Sequence, residues 1–211
     1  PAETPTIVSG TKRLEVGSDI FAFYLRKWYG VDPVDGAGLY YAAPGVTTGT
    51  RTGPKGEILV TNSSNAEFGY AGSAIPKFFG SFINTFSIKD LSLSFLVNYQ
   101  VGGKFYDGNY AVLMGVSYGR ALHIDNLRAW KKPGDITDIP RLDISQTGQF
   151  NAASDRWLID ASYLNIRNVT LTYLLPKSVL GKLNFDQAKF YVGAENLYIF
   201  SKRKGLNPAE S

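Results

Sequence analysis

The chain has no cysteine and a single histidine, His123. Without thiols there is no disulfide scaffold, no thiolate zinc site and no cysteine nucleophile. One imidazole cannot build a histidine-rich metal centre. No run of about 18 apolar residues occurs, so no segment reads as a membrane-spanning helix. Charge is not one-sided either: 22 basic side chains stand against 18 acidic ones, a net +4. The one tight basic cluster, Lys202, Arg203 and Lys204, follows a strand-like run ending at Phe200 and reads as a solvated strand end. A nucleic-acid surface would gather such charge on one face beside stacking aromatics, so no nucleic-acid partner is expected. The opening Pro1, Ala2, Glu3 and Thr4 show no basic stretch followed by an apolar core, hence no signal peptide. Either the protein is cytosolic or its natural start lies upstream.

What the chain does have is aromatic and turn-forming residues. Of its 211 residues, 14 % are aromatic, carried by 13 Tyr, 13 Phe and 3 Trp, beside 22 Gly and 10 Pro. Aromatic and β-branched side chains fit a pleated surface, and Gly and Pro punctuate it, so the expected class is all-β. The strongest signal is a period of two. From Leu91 the odd positions are Leu91, Leu93, Phe95, Val97, Tyr99 and Val101, against Ser92, Ser94, Leu96, Asn98, Gln100 and Gly102. Alternate strand residues point to opposite faces, so this segment has one apolar and one mostly polar face.

Residues 77–88 repeat the pattern, with Phe78, Phe82 and Phe86 against Ser81, Thr85 and Ser87; Phe79 and Ile83 break it. Only Lys89 and Asp90 separate the two runs, which predicts a hairpin. A third strand is expected over 163–174, with Val169, Leu171 and Tyr173 against Asn168, Thr170 and Thr172. A short connection through Pro176 and Gly181 leads to a fourth over 188–200. Weaker candidates are 11–16, 21–29 and 57–61.

The connections are uneven. The turns at Lys89 and over 175–187 are short, whereas 31–76 and 103–155 are long. Structureless connections of that size are rare in compact soluble domains. Short turns alternating with long loops are what outer-membrane barrels show, the short turns periplasmic and the long loops outside. Asp90 and Lys177 are thus expected on the periplasmic side, and residues 106–130 and 133–143 outside. Each long strand is about the length that crosses a bilayer when tilted. Four to seven strands cannot close a barrel, and an open edge in lipid leaves backbone groups unpaired, so a larger barrel is expected.

Several stretches resemble SusC/RagA-type TonB-dependent transporters. The first is Gly72-Ser73-Ala74-Ile75-Pro76-Lys77 leading into a strand with Gly80, Phe82, Asn84 and Phe86 at alternate positions. The next strand ends in Gly103-Lys104-Phe105-Tyr106. Then come Trp130-Lys131-Lys132-Pro133-Gly134-Asp135, the run from Ser162 to Pro176, Ala194-Glu195-Asn196-Leu197-Tyr198, and Lys204-Gly205-Leu206-Asn207-Pro208-Ala209-Glu210. Each motif alone is weak; their order across 65–211 is the signal. In residues 1–60 it is thinner, resting on residues 12–17 and 29–32.

The resemblance implies an antiparallel transmembrane β-barrel of about twenty-two strands with long extracellular loops. Residues 1–211 would be the C-terminal part of the barrel domain, without the N-terminal plug or the final strand, and Ser211 would be a cut. It further implies bacterial outer-membrane residence and import of oligosaccharides or peptides with a SusD-like surface lipoprotein. Import would be driven by the TonB complex acting through the N-terminal part. No cofactor and no enzymatic activity are implied.

Tyr106, Tyr110, Tyr118 and Trp130 in the second long loop are the candidate contacts for cargo or lipoprotein, because sugar C–H faces stack on aromatic rings. The commoner role of such rings is to pack the loop onto itself or onto the barrel rim. Asp135, Asp138, Asp143, Asp155 and Asp160 show no spacing that defines an acid pair, and Asp135 after Pro133-Gly134 reads as a turn residue. His123 reads as a loop histidine, and 110–116 as a short helix in the loop. The rival to a transporter is a soluble all-β carbohydrate-binding module, in which the apolar faces would meet a second sheet.

Overall fold

A computed structural model describes residues 6–181 and 186–202. Arg203, the motif from Lys204 to Glu210, and Ser211 lie outside the described residues. In chain order the strands are β1 (Ile7–Ser9), β2 (Lys12–Leu14), β3 (Ala22–Arg26), β4 (Trp28–Val31), β5 (Gly38–Tyr41), β6 (Thr50–Thr52) and β7 (Ile58–Val60). There follow β8 (Phe68–Ser73), β9 (Phe78–Ile88), β10 (Leu91–Val101), β11 (Lys104–Tyr106), β12 (Leu158–Asp160), β13 (Tyr163–Leu174) and β14 (Lys189–Ser201). The helices are α1 (Gly108–Met114), α2 (Thr147–Phe150) and α3 (Lys177–Leu180). The chain divides into two compact units, residues 1–74 with 106–159, and residues 75–105 with 160–211.

The second unit is one antiparallel sheet in the order β14-β13-β10-β9. Its register follows from the period of two. Leu93 of β10 sits between Phe86 of β9 and Leu171 of β13, and Leu171 in turn pairs with Val192 of β14. Most rows sort like with like; the exceptions include Phe95 beside Asn84 and Leu96 beside Asn168. One face collects Phe78, Phe82, Phe86, the odd residues of β10, then Leu164, Ile166, Val169 and Leu171, and Phe190, Val192, Tyr198 and Phe200. The other collects Ser81, Thr85, Ser87, Ser92, Ser94, Asn98, Asn165, Thr170 and Thr172, with serine and threonine hydroxyls bonded across the β9–β10 pair. Phe79 and Ile83, the two exceptions in the sequence, do fall on this polar side.

Two local features let the sheet form. Lys89 turns the hairpin in the left-handed region at φ 53°, and Leu91 pairs directly with Ile88. In β14 the register slips between Glu195 and Tyr198, opposite a slip at Arg167 of β13. Asn196 takes the left-handed turn of that bulge at φ 49°, a conformation asparagine tolerates better than most residues. The asparagine of the Ala-Glu-Asn-Leu-Tyr motif therefore has a backbone reason.

The apolar face of this sheet is not a core. Phe86 is 57 % exposed, Phe190 68 % and Val192 76 %. Phe95 and Val97 are half-buried only by their neighbours in the sheet, Phe95 lying 5.9 Å from Phe82 and 6.0 Å from Phe86. Among the described residues the unit's only other strand residues are Lys104, Phe105 and Asp160 of the short β11–β12 pair.

The first unit holds the buried core and corrects the expectation of a bare connection over 31–76. That stretch carries β5 to β8, in two four-stranded sheets ordered β1-β2-β3-β8 and β4-β5-β7-β6. These strands are too short to show a period, and their pairing partners are distant in sequence, so alternation could not reveal them. The single strand expected over 21–29 is likewise two. Lys27 is the break: its N–H donates to Glu67 O and its carbonyl accepts from Tyr41 N, which hands the chain from one sheet to the other. Tyr40, Val60 and Ala66 form one buried cluster here, and Met114, Ala129, Ile139 and Trp157 form another.

Candidate functional site

The loop over 106–157 is folded, and each candidate aromatic has a defined place in it. Asp107 caps α1, its carboxylate accepting from Tyr110 N at 2.9 Å, while its own N–H donates to Trp157 O. The helix so started turns Tyr110, Ala111 and Met114 onto Ala129, Ile139 and Trp157. Tyr110 is held at both ends: its hydroxyl donates to Asp125 at 2.7 Å, and its ring meets His123 and Trp157 edge-on. His123, expected as an ordinary loop histidine, caps the turn Ile124–Arg128 by accepting from Asp125 N. The Tyr110 hydroxyl, ahead of Arg128 and His123, holds the Asp125 carboxyl below its ordinary value.

Trp130 is also anchored. Its Nε1 donates to Pro33 O at 3.1 Å, and its ring lies over Gly36. Gly36 has φ +72°, and a Cβ there would come within 2.4 Å of the Trp130 ring, so no other residue fits. Tyr118 behaves differently: it is 87 % exposed and has no ring or hydrogen-bond partner among the described residues.

Tyr106 borders an open cleft of about 720 Å³ between α1 and α2. Ala111, Val112, Val116 and Ile144 give it an apolar floor, and Ser117, Arg120, Thr147 and Asn151 supply polar groups. Tyr118 lies between two of these lining residues in sequence. Such a volume suits a small ligand or a few residues of a longer one. The cleft thus gathers Tyr106 and the segment bearing Tyr118, whereas Tyr110 and Trp130 build the scaffold behind it. The lining offers apolar contact, hydroxyls, an amide and one guanidinium, the mixture that small-ligand clefts combine.

A second constellation carried no sequence signal. Arg156 lies between the rings of Trp28 and Trp157, at 4.6 and 4.5 Å, and donates to the carbonyls of Asp138 and Phe150. Burial lowers its pKa to about 10, still far enough above neutrality that it remains a cation. Beside it Asp155 accepts from Trp28 N at 2.8 Å, and burial raises its pKa. Tyr40 donates to Gln149 O at 2.6 Å, and Gln149 accepts from both the N–H and hydroxyl of Ser63. Further along, Arg51 forms a fork to Asp35 and reaches Asp32, while Arg141 bonds Asp35 and Asp143. These contacts bind residues 139–157 to the strands of 26–66.

The acidic residues of the loop serve local geometry. Asp135 accepts from the N–H groups of Lys131 and Lys132, Asp143 caps the turn Ile144–Gln146, and Asp160 accepts from Ser162. Among the described residues no group of three potential ligands could hold a metal ion.

Comparison with known proteins agrees with this picture. The chain is 27 % identical over 94 % of its length to TonB-dependent receptor P3 of Formosa agariphila, covering 19 % of that protein. TonB-dependent receptor P26 of the same organism is 26 % identical over 96 % of the chain, which covers 20 % of it. Among solved structures, the RagAB peptide transporter matches with a TM-score of 0.75 and 27 % identity, over 95 % of this chain and 21 % of that one. The RagAB peptide importer in its "open-open" state gives 0.69 at 26 % identity, over 97 % and 21 %. No family model matches. The chain spans about a fifth of the length of these curated relatives. The resemblance to SusC/RagA-type TonB-dependent receptors is borne out, and so is the all-β antiparallel architecture.

Proposed function

We propose that residues 1–211 form a late part of the barrel domain of a TonB-dependent importer in a bacterial outer membrane. The observation that carries this is the sheet of the second unit, whose strands of 11 to 13 residues bear one continuous, uncovered apolar face. About 9–11 tilted residues cross the hydrocarbon layer, so the strands are long enough. A soluble sandwich would hide that face against a second sheet. On this reading Leu93, Phe95, Val97, Val169 and Leu171 meet lipid. Ser92, Ser94, Asn98, Thr170 and Thr172 line a polar lumen.

The short turns at Lys89 and after Leu174 are then periplasmic and the long connections external. The external cleft with Tyr106, and the exposed Tyr118, are the surface offered to cargo or to a SusD-like lipoprotein. The cargo is an oligosaccharide or a peptide; the likeness to a peptide transporter favours the peptide. Energy from the TonB complex would enter through parts of the protein outside this chain. No step requires bond chemistry, so the protein acts as a transporter and not as an enzyme.

Cell fractionation tests the reading. The protein is expected in the outer-membrane fraction, to need detergent for extraction, and to migrate differently on gels before and after boiling. Recovery as a soluble monomer without detergent would overturn it.

A further inference from the structure

On the apolar face, near the end of the sheet where β10 leaves and β13 enters, the surface is not flat. A groove of about 570 Å³ runs there, almost wholly apolar in lining. Its floor is one row of the ladder, Tyr99 beside Leu164 beside Phe200, with Val101 next along. Leu164 is 41 % exposed and Phe200 55 %. Lys202, just past the end of β14, also lines the groove and stands at its mouth. Asp160 lies at the same mouth, its Oδ1 accepting from the Ser162 hydroxyl at 2.6 Å. Ala161 N donates to Gly103 O where β11 pairs with β12, which sets Lys104 beside Asp160. The Asp160 pKa is lowered first by the Ser162 hydrogen bonds and then by the charges of Lys104 and Lys202. Two exposed cations against one engaged carboxylate leave a net positive mouth above an apolar trough.

We propose that this groove binds a phosphorylated glycolipid of the outer leaflet, an acyl chain lying over Leu164 and Phe200 and a phosphate held by Lys104 and Lys202. The inference rests on the reading that this face meets lipid and adds to it a particular site and headgroup. The continuity of the groove with the apolar wall selects a lipid over a soluble ligand. The charge at its mouth selects an anionic headgroup, and the long connection on this side of the sheet selects the outer leaflet. Losing both lysines should weaken binding about thirty-fold, the scale expected for removing two cations from an anionic lipid surface.

The test is native mass spectrometry of the detergent-extracted protein with bis-phosphorylated lipid A, its dephosphorylated form, and inorganic phosphate as competitor. The wild type is expected to retain the phosphorylated lipid, to retain the dephosphorylated form far less, and to be indifferent to phosphate. Lys104→Gln with Lys202→Gln should lose about thirty-fold. Leu164→Trp, which fills the groove and keeps both lysines, should also weaken retention. A heat-modifiable band on gels confirms that each variant is folded. Equal retention by folded wild type and double variant, or equal retention of both lipid forms, overturns the site while leaving the barrel intact. Displacement by phosphate would make it a soluble-anion site. A protein that needs no detergent overturns the membrane reading itself.

Discussion

Arg156 joins several contacts of the first unit in one side chain. A guanidinium can lie flat against two rings and donate in its own plane at once, which an ammonium cannot. Arg156→Ala is therefore expected to destabilise the first unit by about 2–4 kcal/mol, from two cation–π contacts and two hydrogen bonds. Arg156→Lys should recover less than half of that. Unfolding followed by tryptophan fluorescence in detergent checks both, because Trp28 and Trp157 are the rings concerned. Two aspartates nearby should answer to charge removal in opposite ways. Asp35 has its pKa lowered, first by the Arg51 hydrogen bonds, so its contribution is present above the ordinary value of 3.8 and is lost as pH falls through the lower folded value. Asp155 has its pKa raised by burial, so its charge costs stability at neutral pH and the cost disappears on acidification. At pH 7, Asp35→Asn should hasten proteolysis of the first unit, and Asp155→Asn should leave it unchanged or slow it. The opposite ordering would refute the assignment.

Among elements, the β9–β10 hairpin makes a prediction of its own. Lys89 occupies a left-handed position that suits glycine, so Lys89→Gly should raise stability by about 1 kcal/mol, read from the denaturant midpoint of the folded protein in detergent. The long strands were legible because eleven or more residues of alternation leave no ambiguity. Strand β13 coincides with the expected 163–174, and β14 is shifted by one residue. The sequence did not reveal which strand neighbours which: β10 beside β13 is a pairing across the whole second loop, and no local pattern encodes it. Strands β5 and β6, four and three residues long, were invisible because so few residues show no period, and β7 was foreseen only as the weak candidate over 57–61. The short helix around Tyr110 was expected, but the anchoring of that ring by Asp125 and His123 depends on a fold-back that residue types alone do not show. Arg156 had no sequence signal, since its partners are two tryptophans at positions 28 and 157 and two carbonyl groups.

At the scale of the whole molecule the two units differ: the first has a buried core, whereas in the second polarity is sorted by face and not by depth, as a membrane wall requires. Substitutions should sort the same way. Leu171→Arg is expected to cost about 2–4 kcal/mol if the residue lies near mid-bilayer and to reduce the amount of folded protein in the outer membrane, whereas Thr170→Arg next to it should be tolerated. The absence of cysteine makes a direct test possible, because single cysteines can be placed without removing any. Spin labels at positions 95, 97 and 171, and separately at 94, 98 and 170, in protein reconstituted into lipid vesicles would report collisions with oxygen and with a water-soluble nickel chelate. The account predicts that the first set collides with oxygen dissolved in the bilayer and is shielded from nickel, and that the second set is reached from water. Labels at 95, 97 and 171 that meet neither reagent, as in a packed protein interior, or that meet nickel freely, would contradict it.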